Sequence, residues 1–166
     1  MSKKVEKASD ELINLFELIK DKQTSIPEWV RFELRCSTEQ KELYKIQKIN
    51  EVVDSIYEEY AKDSLNFAIV INEDILDQLP HDLKEMALDE CLTAISISEN
   101  DKVSLKKPTV NTYFGVLSKY GNDNVIKLHE SVKSLFDNKK QKEKEEKEAS
   151  KPKSKDKRFG AHNSIK

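Results

Sequence analysis

The sequence predicts an α+β fold: a small mixed sheet packed against helices, with further helices at the N- and C-terminal ends and a disordered charged C-terminal tail. Three observations carry that prediction. Residues 29–37, WVRFELRCS, alternate apolar Val30, Phe32, Leu34 and Cys36 with charged Arg31, Glu33 and Arg35, the two-residue period of a half-buried strand. Residues 66–72, NFAIVIN, are a continuous apolar and β-branched run suited to a central strand covered on both faces. Around these runs, apolar residues recur at helical spacing. A chain of 166 residues accommodates one core of this kind. Residues 1–24 read as an N-terminal amphipathic helix, 25–137 as the α+β domain and 138–166 as a Lys/Glu-rich tail that is largely disordered.

Taken in order, residues 3–22 place Leu12, Leu15, Phe16 and Ile19 on one helical stripe. LYKIQKI, 43–49, is the expected antiparallel partner of the strand at 29–37. A helix follows from Asn50, with Val52, Val53, Ile56, Tyr57 and Tyr60 on one side; it and the helix at 82–95 are expected to cover the sheet. EDILDQL supplies a helical turn or two, and Pro80 separates it from the helix beginning near Asp82. ISIS and VSLKK form a hairpin around Glu99–Lys102. Thr109, after Pro108, is placed to cap a helix over VNTYFGVLSKY, which Gly121 closes in a positive-φ position. The last helix starts between Asn122 and Asn124 and carries Val125, Ile126, Leu128, Val132, Leu135 and Phe136, beyond which the apolar stripe stops and a frayed, solvated helix is the most structure expected.

Charge is unevenly spread. Residues 139–158 hold ten Lys/Arg against five Asp/Glu, so with a total of −2 the rest of the chain is near −7. The basic run Lys151, Lys153, Lys155, Lys157 and Arg158 is the one candidate for weak, salt-dependent contact with nucleic acid; the preceding Lys–Glu alternation reads as a solvated helix. Cys36 and Cys91 lack the spacing of a disulfide framework or a zinc knuckle. Three glycines, none in a phosphate-loop pattern, set nucleotide hydrolysis aside. No apolar run approaches the roughly 18–20 residues of a membrane span, and a soluble protein is expected. Tyr57, Tyr60, Tyr113, Phe114 and Tyr120 are assigned to core packing, and Cys91 to the core rather than to nucleophilic chemistry.

The segment with chemical content is EMALDECLTAISIS, 85–98. On a helical wheel Asp82, Glu85, Asp89, Thr93 and Ser96 form a polar face, whereas Glu90 falls about 20° from Leu83, at the edge of the apolar stripe. A carboxylate there costs several kcal/mol unless it is paired or protonated, so Glu90 calls for a partner or a polar cavity. His81 and His129 have no ligand spacing and read as exposed helix-start and helix-surface residues.

Residues 66–121 resemble the phage metallopeptidase family, zincin-like proteins of bacteriophage genomes. There a strand and short helix lead into a helix bearing His-Glu-Leu-x-His, then a hairpin, a further histidine and a helix ending in Tyr-Gly. The counterpart here is DECLT, 89–93, followed by PTVNTYFGVLSKYG, 108–121; the match covers about a third of the chain and rests on order and spacing. It implies a zincin-like core. At the two helix-histidine positions stand Asp89 and Thr93, and the third-ligand position falls on Pro108; only Glu90 is retained. Such a set lacks the three protein ligands of a catalytic zinc site. The expectation is therefore a pseudoenzyme with a vestigial motif and no cofactor or metal, phage-encoded, found in host cytoplasm or virion and acting by binding another protein or by assembly. Its oligomeric state is left open. Two alternatives stand beside it: a metal-dependent peptidase with an atypical site around Asp89 and Glu90, and a nucleic-acid-binding accessory protein using the basic tail.

Overall fold

The computed structural model describes residues 4–50, 52, 53, 55, 56, 65–108 and 112–150. Its fold is mixed α+β. Helix α1, Asp10–Lys22, begins at Ser9, whose hydroxyl accepts the Leu12 N–H at 3.1 Å. Asp10 and Glu11 in the first turn and Lys20 and Lys22 in the last complement the helix dipole. Ahead of it the expected helix gives way to a two-residue strand, β1 (Glu6–Lys7).

The sheet holds β1, β2 (Phe32–Cys36), β3 (Tyr44–Lys48) and β4 (Phe67–Ile71) in the order β1-β2-β4-β3. LYKIQKI is a strand as expected, but its partner is not β2: β4 lies between them, parallel to β2 and antiparallel to β3. The physical reason is burial. The most apolar strand gains most by taking the centre, where Phe67, Ile69 and Ile71 are fully buried, even though a hairpin would close a shorter loop. Leu34 and Ile46 flank Ile69 in register, and Phe32 stacks on Phe67 at 5.9 Å between ring centroids. Only this face is closed. Ala68 and Val70 on the opposite face are half-buried, so β4 is not covered equally on both sides.

Of the helix expected over 50–62, Val52, Val53, Ser55 and Ile56 are helical, yet Val52, Val53 and Ile56 are 69%, 46% and 53% exposed. These residues do not pack on the sheet; Tyr57 and Tyr60 lie outside the described residues. The core face is covered instead by α1 and by α3 (His81–Thr93), reached through the short helix α2 (Glu73–Asp77). Phe16 of α1 meets the Phe32 ring edge-on at 5.5 Å, and α1 lies against α3. Asn72 caps α2 and is itself fully buried, donating to the Gln40 carbonyl at 2.8 Å.

After α3 the predicted hairpin forms from β5 (Ile95–Ile97) and β6 (Val103–Leu105). Helix α4, Phe114–Tyr120, starts later than expected. Tyr113 is extended and occupies the cap position, so Thr109, which lies outside the described residues, is not the cap of this helix. Phe114, expected in the core, is 79% exposed at the helix start, while Tyr113 and Tyr120 pack against the core. Gly121 joins α4 to α5 (Asn122–Ala149) with φ 80° and ψ 157°, a backbone region reserved for glycine. Gly121→Ala is expected to lower stability by about 1–3 kcal/mol in urea unfolding, through backbone strain alone, because open space surrounds the position.

Helix α5 buries Val125 and Leu128 and rests Val132, Leu135 and Phe136 against the core, whereas Ile126 is 45% exposed. Residues 138–149 continue it as a helix, with 140–149 exposed throughout. Lys139 anchors the middle of α5 by donating to the Thr38 carbonyl at 2.7 Å and approaching Asp74 at 3.6 Å.

Candidate functional site

Helix α3 carries the motif, and its burial differs from the wheel drawn on sequence. Every residue from Met86 to Leu92 is buried, two turns enclosed on all sides by the sheet, α1, α4 and α5. A helix surrounded in this way has no solvent face at its middle. Asp89 is consequently 1% exposed and Glu90 5%. Both carboxylates must find partners inside the protein, and they find different ones.

Asp89 points to the side shared with α1 and α4. Its Oδ1 accepts from Nε2 of Gln23, just beyond α1, and its Oδ2 accepts from Lys119 Nζ and the Tyr120 hydroxyl, each at 2.6 Å. Lys119 keeps half its side chain in water, so its charge is neutralised without full desolvation. Burial, and then the Asp89 carboxylate beside it, push the Tyr120 phenol above its ordinary value, keeping it a donor. Thr93, one turn on, donates to the Asp89 carbonyl at 2.7 Å, and a Cβ at Gly115 would meet its methyl group at 3.4 Å. The site is thus a clamp that fixes α1 and α4 to α3.

Glu90 points the other way, toward β3 and α5. His129 Nε2 lies 3.1 Å from Oε1 and 3.0 Å from Oε2, and half-buried Tyr44 of β3 is close enough to feel the Glu90 charge. Tyr44 is raised far above the usual tyrosine range, first by burial and then by the Glu90 charge, and stays protonated. The partner that Glu90 demanded on sequence grounds therefore exists. It is His129, not the free surface residue expected; half-buried, it sits on the stripe formed by Val125, Leu128 and Val132, a signal already present in the spacing. His81 is exposed, as expected, 3.5 Å from Glu85.

Pro108, the remaining motif position, follows β6 and is exposed. Asp89 and Thr93 are together on one side of α3, Glu90 faces another, and no three His, Cys, Asp or Glu side chains converge among the described residues. Cys91 is fully buried and burial pushes its thiol well up, as befits a core residue. The basic run Lys151, Lys153, Lys155, Lys157 and Arg158 lies outside the described residues.

No protein family, curated protein or solved structure matches the chain. No helix among the described residues is long and apolar enough to cross a membrane.

The His129–Glu90 pair makes stability depend on pH with a definite sign. The hydrogen bond to Glu90 raises the imidazole above 6.5, against the opposing effect of burial. The pair's contribution is fully present below the unfolded-state value of ~6.5 and is lost as pH rises through the higher folded-state value. Urea midpoints measured across neutral pH should therefore fall on the alkaline side, and His129→Gln should flatten that part of the profile.

Proposed function

We propose that this chain is a non-catalytic relative of the phage metallopeptidases it resembles, acting by binding another protein. The observation that carries the reading is the saturation of Asp89. In a metal-dependent hydrolase the residue at this position must offer a lone pair to the metal, whereas here both carboxylate oxygens already accept hydrogen bonds, one from Lys119. A cation entering this position would have to displace an ammonium group of its own sign. Thr93, spending its hydroxyl on the helix backbone, and the exposed Pro108 add no ligand. Glu90, the position of the water-activating base in the family, is held by His129.

A binding role fits helix α5. At 28 residues it spans about 42 Å, but apolar residues hold only its first half to the domain. The exposed turns from Lys140 to Ala149 project a face rich in alternating Lys and Glu, suited to a partner surface of mixed charge.

Metal content and peptide hydrolysis of the purified chain test the proposal together. After incubation with zinc and gel filtration, sub-stoichiometric zinc and no cleavage of casein are expected. One equivalent of zinc retained by the native chain and lost in Asp89→Asn would overturn it, as would zinc-dependent cleavage that Glu90→Gln abolishes.

A further inference from the structure

We propose that the cavity between β3, α3 and α5 is a binding site for a small organic acid with an apolar body. The cavity is ≈ 450 Å³, within the range that encloses small ligands. Leu43, Leu128, Val132 and Phe136 give it apolar walls. Its polar groups converge at one place, where half-buried His129 pairs with buried Glu90 beside half-buried Tyr44. An apolar pocket with a few converging polar groups is the usual form of a small-molecule site.

Charge selects the class of ligand. Glu90 is the buried carboxylate of the lining, and His129 already holds both of its oxygens, so it offers little to an incoming cation. Held by Glu90, the imidazole is protonated to a greater extent near neutral pH than that of a free histidine. Lys41 and Lys133 line the same cavity, and neither forms an ion pair among the described residues. Glu42, also lining it, offsets one of these charges. A positive surplus remains. His129, Val132, Lys133 and Phe136 lie on one face of α5 at three- and four-residue intervals, so a carboxylate could meet His129 and Lys133 while its chain lies along Val132 and Phe136.

The site is independent of whether the chain has catalytic activity, and its test uses different probes. Proton–nitrogen correlation spectra of the full chain are recorded during titration with octanoate, octanol and octyltrimethylammonium near neutral pH. Octanoate is expected to saturate one site, moving Tyr44, Glu90, His129 and Val132. Octanol should bind about tenfold more weakly, the worth of one charge-assisted contact, and the ammonium should not saturate. Lys133→Glu, at an exposed position, should weaken octanoate by about tenfold with the far-ultraviolet spectrum unchanged. The proposal is overturned if octanoate gives no saturable shift or shifts another surface. It is equally overturned if octanol or the ammonium binds as well as octanoate, or if Lys133→Glu leaves its affinity intact.

Discussion

Replacing Asp89 with alanine is expected to destabilise the protein by about 3–5 kcal/mol, through the donors it leaves without an acceptor inside the protein. The Asp89 side chain is 2% exposed and receives three donors. Without it, the Tyr120 hydroxyl and the Gln23 amide lose their acceptor at a place water reaches poorly, and each such orphan costs about 1–3 kcal/mol. Lys119 behaves differently. Lys119→Met leaves Asp89 its Gln23 and Tyr120 bonds but removes the positive charge beside a buried carboxylate, so a loss of about 1–3 kcal/mol is expected. The asymmetry is the informative result. Urea midpoints at constant m-value would measure it, and a change below about 1 kcal/mol for Asp89→Ala would mean that the clamp does not hold α1 and α4 to α3.

Phe16→Ala should cost as much, about 3–5 kcal/mol, by the loss of a buried aromatic ring and the cavity left behind. Phe16 is 1% exposed, and its ring is the edge-on partner of Phe32, which in turn stacks on Phe67 at the centre of the sheet. The expected result distinguishes two organisations of the N-terminal region. If residues 1–24 were an appendage to a self-sufficient domain, the substitution would unfold α1 alone and leave the main transition near its native midpoint. Since α1 supplies Leu12, Phe16 and Ile19 to the common core, one cooperative transition at lower denaturant is expected instead.

Much of the fold is legible in local pattern because local pattern is what amphipathic elements respond to. The alternation in FELRC, the apolar run FAIVI, the hairpin around Glu99–Lys102 and the helix opening after Gly121 each follow from periodicity and a turn or cap residue close by. The errors share a different cause. Strand pairing is settled by competition among strands, so LYKIQKI gave way to β4 at the centre although it stood nearer to β2 in sequence. The apolar stripe Val52, Val53 and Ile56 has a helical period, but period cannot say whether a surface is available to receive it.

The candidate site shows the same division. A wheel assigns faces on the assumption that a helix has one buried side, which fails for α3 because α1, α4 and α5 close around it. A warning was present in the run Met86, Ala87, Leu88, Cys91 and Leu92, too apolar on too many sides for a surface helix. That Glu90 needs a partner followed from its neighbours; that the partner is His129, 39 residues away, did not.

By itself, the sequence determined the fold class, the order of the elements apart from β1 and the unusual position of Glu90, since these rest on spacing and transfer energy along a few turns of chain. Only the tertiary structure decided which strand is central, that Asp89 is a buried clamp, and that His129 pairs with Glu90 beside a cavity. Those outcomes depend on which distant surfaces come together. A buried charge adds little to a local pattern, but folding must satisfy it with whatever donors the packing brings within reach.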